Sequence, residues 1–390
     1  MIRRLSAAGL AVALVATAGP PSLGQENTAG ARTASPRTAP DRFDSKPLLA
    51  QGEWQRLDGA VDRALAFIAQ SQSSDGSFPT HVSGQPAVTS ICIMAFLSRG
   101  HVPNEGPYGK QISRAIDFVL DSQDGNGALM FEKLGNRPAA HFEGNYNHSI
   151  SGLMLGEVYG MSTSTQHERI RTAIERALEL SREQQIMVKR TRDERGGWRY
   201  MRRFGVTDSD LSVTAWQLMF LRSARNAEFE VPQQWIDEGM GYVRRSFDPV
   251  ERGFVYGLYG EDRYVSRGMA GAGVVSLSLG GEHNTDIAKS AGGYILQHGF
   301  DRYNRGGTHP EDRYHYSAFY CSQAMFQLGG DYWFRFFPKL LDTLVENQRG
   351  DGSWEAESLA NDRKYGNIYS TGLTVLTLTP PYQLLPIYQR

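Results

Sequence analysis

The stretch Gln348-Arg349-Gly350-Asp351-Gly352-Ser353-Trp354 closes an amphipathic segment and has the form Gln-x-x-x-Gly-x-Trp. It recurs as Gln72-Ser73-Ser74-Asp75-Gly76-Ser77-Phe78, with one aromatic exchanged for another, and as Gln123-Asp124-Gly125-Asn126-Gly127-Ala128-Leu129, with the aromatic lost. A pair of residues stands at a fixed distance before each copy: Phe67-Ile68, Phe118-Val119 and the less apolar Thr343-Leu344. Self-similarity of this kind predicts a repeat architecture before any single element is read. The motif also has a plain physical job. A glutamine at a helix C-terminus can donate to carbonyls left unpaired there. The glycines turn the chain where a side chain would clash, and the aromatic covers the loop. These residues therefore read as a clasp between hairpins, not as a catalytic loop.

From residue 58 onward two kinds of helical pattern alternate. The first is amphipathic: Ile112, Ala115, Ile116, Val119 and Leu120 fall on one face, with Lys110, Arg114, Asp117 and Asp121 elsewhere. The second kind, at 90–97, 149–155, 211–221, 269–279 and 317–328, is apolar nearly all round and rich in small residues. A helix apolar on every face is buried on every face, so the alternation implies an outer ring covering an inner ring. The pattern predicts outer helices near 58–72, 108–123, 166–186, 231–247, 284–298 and 331–348. It predicts inner helices near 87–100, 148–160, 209–224, 266–280, 314–329 and 367–379. The last inner segment, Leu373-Thr374-Val375-Leu376-Thr377-Leu378, is strand-like in composition, but its place in the repeat makes it a helix. Without a polar capping helix at either end, the six hairpins are expected to close into an all-α, (α/α)6 toroid over 51–390.

Composition limits the partners. The chain has 390 residues, 40% of them hydrophobic, which is ample for one large core. A formal net charge of −1 recommends neither nucleic acid nor an anionic membrane surface. Arg3 and Arg4, the apolar run 5–15 and Ala16-Thr17-Ala18 read as an export signal over 1–18, implying a periplasmic or secreted protein. The run is too short to span a bilayer, and no transmembrane span is expected in the mature chain. Residues 19–50, rich in Pro, Ser, Thr and Ala without apolar periodicity, read as a disordered tether. Cys92 and Cys321 sit inside apolar segments and read as buried free thiols. Neither has partners at metal-binding spacing, so no metal and no cofactor are expected.

The loops 348–354 and 72–78, and the stretched Gln185…Gly196-Gly197-Trp198, resemble the QW motifs of the squalene cyclase and prenyltransferase repeat superfamily. The resemblance runs from about residue 58 to 380. It is nearest to the small, exported, single-toroid branch described as prenyltransferase/squalene oxidase repeat proteins, and it implies an α/α toroid. It implies no one reaction, because relatives do different things on this scaffold. Class II cyclases of the superfamily use the central acid of an Asp-x-Asp-Asp motif. Here the match is Asp208-Ser209-Asp210-Leu211, which puts Asp210 at the acid position but replaces the carboxylate that follows. Asp208 or Asp210 as an N-cap of an inner helix is the plainer reading. The zinc ligands of prenyltransferases and the thioester motif of complement-type domains have no counterpart.

In a toroid the N-terminal ends of the inner helices gather at one rim. Those ends carry Tyr146 and His148; Asp208 and Asp210; Arg267; Tyr314, His315 and Tyr316; and Tyr369. With Arg199, they are the candidate ligand-binding and catalytic residues, Asp208, Asp210 and His148 being the candidates for acid or base work. Three functions fit. The first is a module binding an apolar, isoprenoid-like ligand or a protein partner. The second is a lipid enzyme of cyclase or prenyltransferase type with Asp210 as acid. The third is a carbohydrate lyase or hydrolase on the same ring, using Tyr146, His148, Arg199 and Tyr316.

Overall fold

The computed structural model describes residues 47–131, 139–307 and 309–389. The expected export signal, and the expected tether up to residue 46, lie outside the described residues. At the tether's far end, however, Leu49 is buried and the Leu48 carbonyl accepts a hydrogen bond from Trp333 Nε1, so the packed chain begins slightly earlier than residue 51.

Six helical hairpins follow in order. They are α1 (Gln51–Gln70) with α2 (Ala87–Ser98), α3 (Gly109–Asp121) with α4 (Ala139–Val158), and α5 (Ser164–Ile186) with α6 (Leu211–Asn226). Then come α7 (Gln233–Arg245) with α8 (Arg267–Leu279), α9 (Asp286–Gln297) with α10 (Tyr314–Leu328), and α11 (Gly330–Glu346) with α13 (Gly366–Leu378). The short α12 (Ala360–Arg363) sits in the last connection. The odd-numbered helix of each pair is one-faced: α3 buries Ile112, Ala115, Ile116 and Val119 and shows its charges to solvent. The second helix is buried all round, as in α2, where every residue is buried. The inner helices pack in a closed cycle, α2 on α4, α6, α8, α10 and α13 in turn, with α13 returning to α2. The strand-like segment 373–378 lies within helix α13, because its inner-ring neighbours leave a helix-shaped slot and no strand to pair with.

Two helix starts differ clearly from the sequence pattern: α1, expected from near 58, begins at Gln51. The second inner helix, expected from 148, begins at Ala139. The polar residues that hid the extra turns are satisfied by tertiary partners. Asn147 accepts from the Ala87 N–H at 3.1 Å and donates to the Ser83 carbonyl at 2.8 Å. Asn145 donates to the Arg199 carbonyl.

The recurring motif joins the hairpins. Gln72 Nε2 donates to the carbonyls of Gly76 in its own loop and Gln111 in the next outer helix, at 2.9 and 2.8 Å. Gln123 does the same to Gly127 and Ala173, at 3.0 and 2.9 Å. Gln185 bonds Gly196 and Trp235, at 3.1 and 2.8 Å. Gln348 bonds Gly352 and, across the ring seam, Ala60 in α1, at 2.9 and 2.8 Å. In the last case Arg63 of α1 also donates to the Gln348 side-chain oxygen. Gly352 takes φ +90°, and a Cβ there would stand 2.4 Å from the Arg63 carbonyl oxygen, so the loop closes only because that position has no side chain.

Between α7 and α8 the motif is absent. A two-stranded antiparallel hairpin, β1 (Phe247–Asp248) and β2 (Gly253–Phe254), turns the chain instead, pairing Phe247 with Phe254. The strand direction carries on to Tyr256, and the Leu211 N–H donates to the Tyr256 carbonyl at 2.8 Å. This extension delivers Tyr256 beside the start of α6. Cys92 and Cys321 are buried free thiols. No described helix is long and apolar enough to cross a membrane.

Replacing Gln348 by Ala removes two seam hydrogen bonds and is expected to cost about 2 kcal/mol in denaturant unfolding. Gly352→Ala is expected to cost more than that, whereas Gly350→Ala, with nothing within 4 Å of its Cβ position, should stay within about 0.5 kcal/mol of the parent. Equal effects of the two glycine substitutions would show that the close approach at the seam is not what holds the ring.

Candidate functional site

A cavity of about 750 Å³ opens at the N-terminal ends of the inner helices. Its wall has three levels, set by how far each residue lies along its helix. Deepest are Ile91, Ile150, Trp216 and Leu373, one turn or more into α2, α4, α6 and α13. Above them is a girdle of Tyr146, Ser212, Tyr316 and Tyr369. Three of the four are bonded together: Tyr146 donates to Ser212 Oγ at 2.8 Å, Ser212 and Tyr316 share a bond of 2.6 Å, and Trp216 Nε1 donates to Tyr316 at 3.2 Å. At the mouth, tyrosines and charges come from loops and helix starts. Tyr264 stacks on His309 with ring centroids 3.9 Å apart, and Tyr256 stacks on Tyr264.

The mouth charges are largely paired. Lys364 meets Glu143 at 2.6 Å, and the Tyr365 hydroxyl donates to the same carboxylate oxygen at 3.1 Å. Arg313 Nε lies 2.9 Å from Asp362 Oδ2, and Asp262 holds Arg199 at 3.1 Å. The second oxygen of Glu143 is buried with no partner among the described residues. Burial raises the Asp362 carboxyl above the usual range, and the Arg313 guanidinium only partly offsets it.

The residues singled out from sequence divide into three groups. Tyr146, Tyr316 and Tyr369 line the cavity. Asp210 and Arg199 lie just behind its wall. Asp210 is fully buried at the start of α6, where Oδ1 accepts the Val213 N–H at 2.7 Å as an N-cap. Its other oxygen faces Tyr256 OH at 3.4 Å and Arg199 at 3.7 Å. Tyr256, which lines the cavity and bonds the Tyr200 hydroxyl at 2.9 Å, stands between this carboxylate and the cavity. Burial pushes Asp210 up to about 6, against the pull of Arg199 and the Val213 N–H. The third group is outside the cavity. Asp208 accepts the Arg190 N–H at 2.7 Å, in a small recess it shares with Arg199. Arg267 is buried on Asp312 at 2.8 Å and over the Phe300 ring. The Tyr314 hydroxyl donates to the Phe300 carbonyl at 3.2 Å, and His315 Nδ1 lies 3.2 Å from Thr374 Oγ1.

His148 also falls in that third group, and the repeat explains why. The residue ending each clasp loop gives its backbone N–H to a side chain on the following inner helix. Phe78 gives it to Thr89, Trp198 to Thr214 and Trp354 to Thr371, at 3.1, 3.0 and 3.0 Å. In the remaining copy Leu129 gives it to His148 Nδ1 at 3.3 Å, and the ring's Nε2 reaches Ser181 of α5 at 3.0 Å. His148 thus takes a threonine's place, between the layers. Burial lowers its pKa to about 4.

Sequence reading passed over the mouth residues Glu143, Asp262, Arg313, Asp362 and Lys364. Two carried a usable signal: Glu143 and Arg313 stand three residues before Tyr146 and Tyr316, one turn nearer the rim on the same helical face. It also passed over the buried carboxylate Glu357, which accepts the N–H groups of Tyr314 and His315, both at 2.9 Å, and so caps α10 from another loop.

No family model matches the chain, and no curated protein sequence is similar to it. Solved structures do match it. A type II terpene cyclase from Scytonema, in complex with its substrate geranylgeranyl dihydroxybenzoate, is 14% identical over 86% of this chain and all of its own, with a TM-score of 0.55. An inactive variant of an α-1,6-mannanase of Salegentibacter, in complex with α-1,6-mannotriose, is 10% identical over 84% of this chain and 99% of its own, with a TM-score of 0.58. The chain is an (α/α)6 toroid. At these identities the likeness concerns the toroid's fold alone.

His148→Thr is expected to keep the fold, because threonine does this job in three other repeats. Its relative stability should also change with pH. A buried neutral imidazole takes up a proton near pH 4 folded but near 6.5 unfolded, so the unfolded chain binds more protons between those values. The parent therefore loses stability relative to the variant as pH falls from 6.5 to 4, by up to about 3 kcal/mol. Paired denaturant titrations across that window measure the difference; parallel curves would rule out a buried neutral imidazole.

Proposed function

We propose that this toroid binds an amphiphilic small molecule. An apolar, isoprenoid-like body would lie against Ile91, Ile150, Trp216 and Leu373, and a polar end would meet Glu143 and its neighbours at the mouth. The observation that carries this reading is the gradient along the cavity, from apolar depth to charged mouth, in a volume of about 750 Å³. Ligand sites are commonly about 300–1,000 Å³, mostly apolar, with a few polar groups that orient the guest. The unpartnered Glu143 oxygen suits a guest with a hydrogen-bond donor at its head, since a buried carboxylate oxygen left alone costs free energy. A protein segment presenting an apolar side chain could use the same mouth.

The position of Asp210 argues against alkene protonation. That chemistry needs a strong acid in contact with the substrate, whereas burial weakens this acid and Tyr256 stands between it and the cavity. The case for carbohydrate chemistry rests on five carboxylates lining the mouth, Glu143, Glu261, Asp262, Glu311 and Asp362, beside the stacked Tyr264–His309 pair. The charged, apolar and small-residue pattern over 1–18 supports export, with residues 19–46 as a tether and the toroid as the mature domain.

Organic extraction and mass spectrometry of protein purified from its native compartment tests the binding reading. An apolar ligand with one polar end is expected, and Ile150→Trp, which fills the depth of the cavity, should lower its occupancy about tenfold or more without lowering the unfolding temperature. Recovery of no lipid, together with cleavage of an oligosaccharide that Glu143→Gln or Asp362→Asn abolishes, would replace the reading with the carbohydrate one. Asp210→Asn should leave occupancy unchanged, since asparagine caps a helix as well as aspartate does.

A further inference from the structure

Nine large apolar side chains are exposed on the described surface, and five of them belong to one place, the end of α5 and the connection to α6. They are Ile186, Met187, Val188, Phe204 and Val206; Val188 is 81% exposed and Val206 62%. The two runs form one patch. Arg203 donates to the Val188 carbonyl and Arg190 to the Gly205 carbonyl, which lays 186–190 alongside 203–206. The same connection carries exposed cations, Arg190, Arg192, Arg195, Arg202 and Arg203, of which Arg190 and Arg203 make the bonds just named. Residues 186–206 hold seven basic side chains against two acidic ones; without the buried Arg199 and Glu194, six stand against one, in a chain whose formal net charge is −1. Arg192, Arg202 and Arg203 form no ion pair among the described residues.

The patch also borders the cavity. Phe204 packs edge-on against Phe142 with centroids 4.7 Å apart, and Phe142 lines the mouth together with Tyr200 of the same connection. We propose that this connection docks the toroid on an anionic lipid bilayer, with the cavity mouth beside the membrane. Apolar tips that enter the headgroup boundary, inside a ring of Lys and Arg that meets anionic headgroups, are what interfacial binding requires. A protein partner would match the apolar residues but not, without an acidic surface of its own, the surplus of unpaired cations. Docking stands independently of the cavity's occupant. It deepens the amphiphile reading, because a lipid would pass between bilayer and cavity without crossing water.

Sedimentation of the full chain with vesicles of equimolar phosphatidylcholine and phosphatidylglycerol, against phosphatidylcholine alone, tests the proposal. Binding to the anionic vesicles is expected to be about tenfold stronger or more, and to weaken as salt is raised. The double variants Val188→Glu/Phe204→Glu and Arg192→Glu/Arg202→Glu should each lower it about tenfold or more while keeping the parent's unfolding temperature. The variants carry the test because the run 5–15 is itself apolar; if both bind like the parent, the proposal is overturned even though the parent sediments. Loss of binding to millimolar inorganic phosphate, with no effect of Val188→Glu/Phe204→Glu, would mean a soluble-anion site and also overturn it. Cavity occupancy of the same variant, loaded with ligand from detergent, should match the parent's, which separates failure of docking from failure of the cavity reading.

Discussion

Outer helices end with unpaired carbonyls, and a ring of hairpins must satisfy them without leaving gaps between neighbours. Here serine hydroxyls and the Trp354 indole take carbonyls at those ends, and a glutamine amide ties the loop to the neighbour. Its two N–H groups reach the carbonyl of its own loop's glycine and a carbonyl in the next outer helix, and Gln348 repeats this across the seam to Ala60. The same bond pair that ends one hairpin therefore sets the position of the next. The inner ring follows from it. Once the outer helices are spaced, the apolar all-round helices have one place to bury themselves, and the six close on each other.

Closure has a second result. Inner helices that converge cannot fill the axis at their N-terminal ends with small residues and loops alone, and a cavity remains there. Polar residues at those ends then divide by depth and direction. Those aimed outward or sideways cap helices and tie loops, as Asp210, Glu357 and the Arg267–Asp312 pair do. Those aimed along the axis line the mouth. Strong pKa displacement does not separate the two groups, because burial in the wall displaces Asp210 and His148 as effectively as a site would.

The twelve long helices were legible in the sequence because their two hydrophobic patterns differ in kind, one-faced against all-faced, and the loops between them repeat. The early start of α4 was not, since Asn145 and Asn147 look like loop residues until their partners, at Arg199, Ala87 and Ser83, are known. Of the candidate site residues, Tyr146, Tyr316 and Tyr369 line the cavity, and they share a position on their helices just inside the rim. His148 stands nearby in sequence but on the opposite face of α4. Only comparison with Thr89, Thr214 and Thr371 reveals what it does. The basic patch of 186–206 was hidden in another way: a net charge averaged over the chain cancels it.

Period, pattern and turn chemistry are local properties, so the sequence by itself determined that this chain forms outer and inner helices in alternation; that the ring closes, α13 on α2, is a tertiary fact. Which polar side chains face the axis depends on helix rotation to within a fraction of a turn. That rotation is set by packing against neighbours more than fifty residues away, as in the bond between Tyr146 and Ser212. Which loop residues crown the mouth depends on connections with no periodicity at all. The tertiary structure alone decided these, and with them the cavity, its charged rim and the patch beside it.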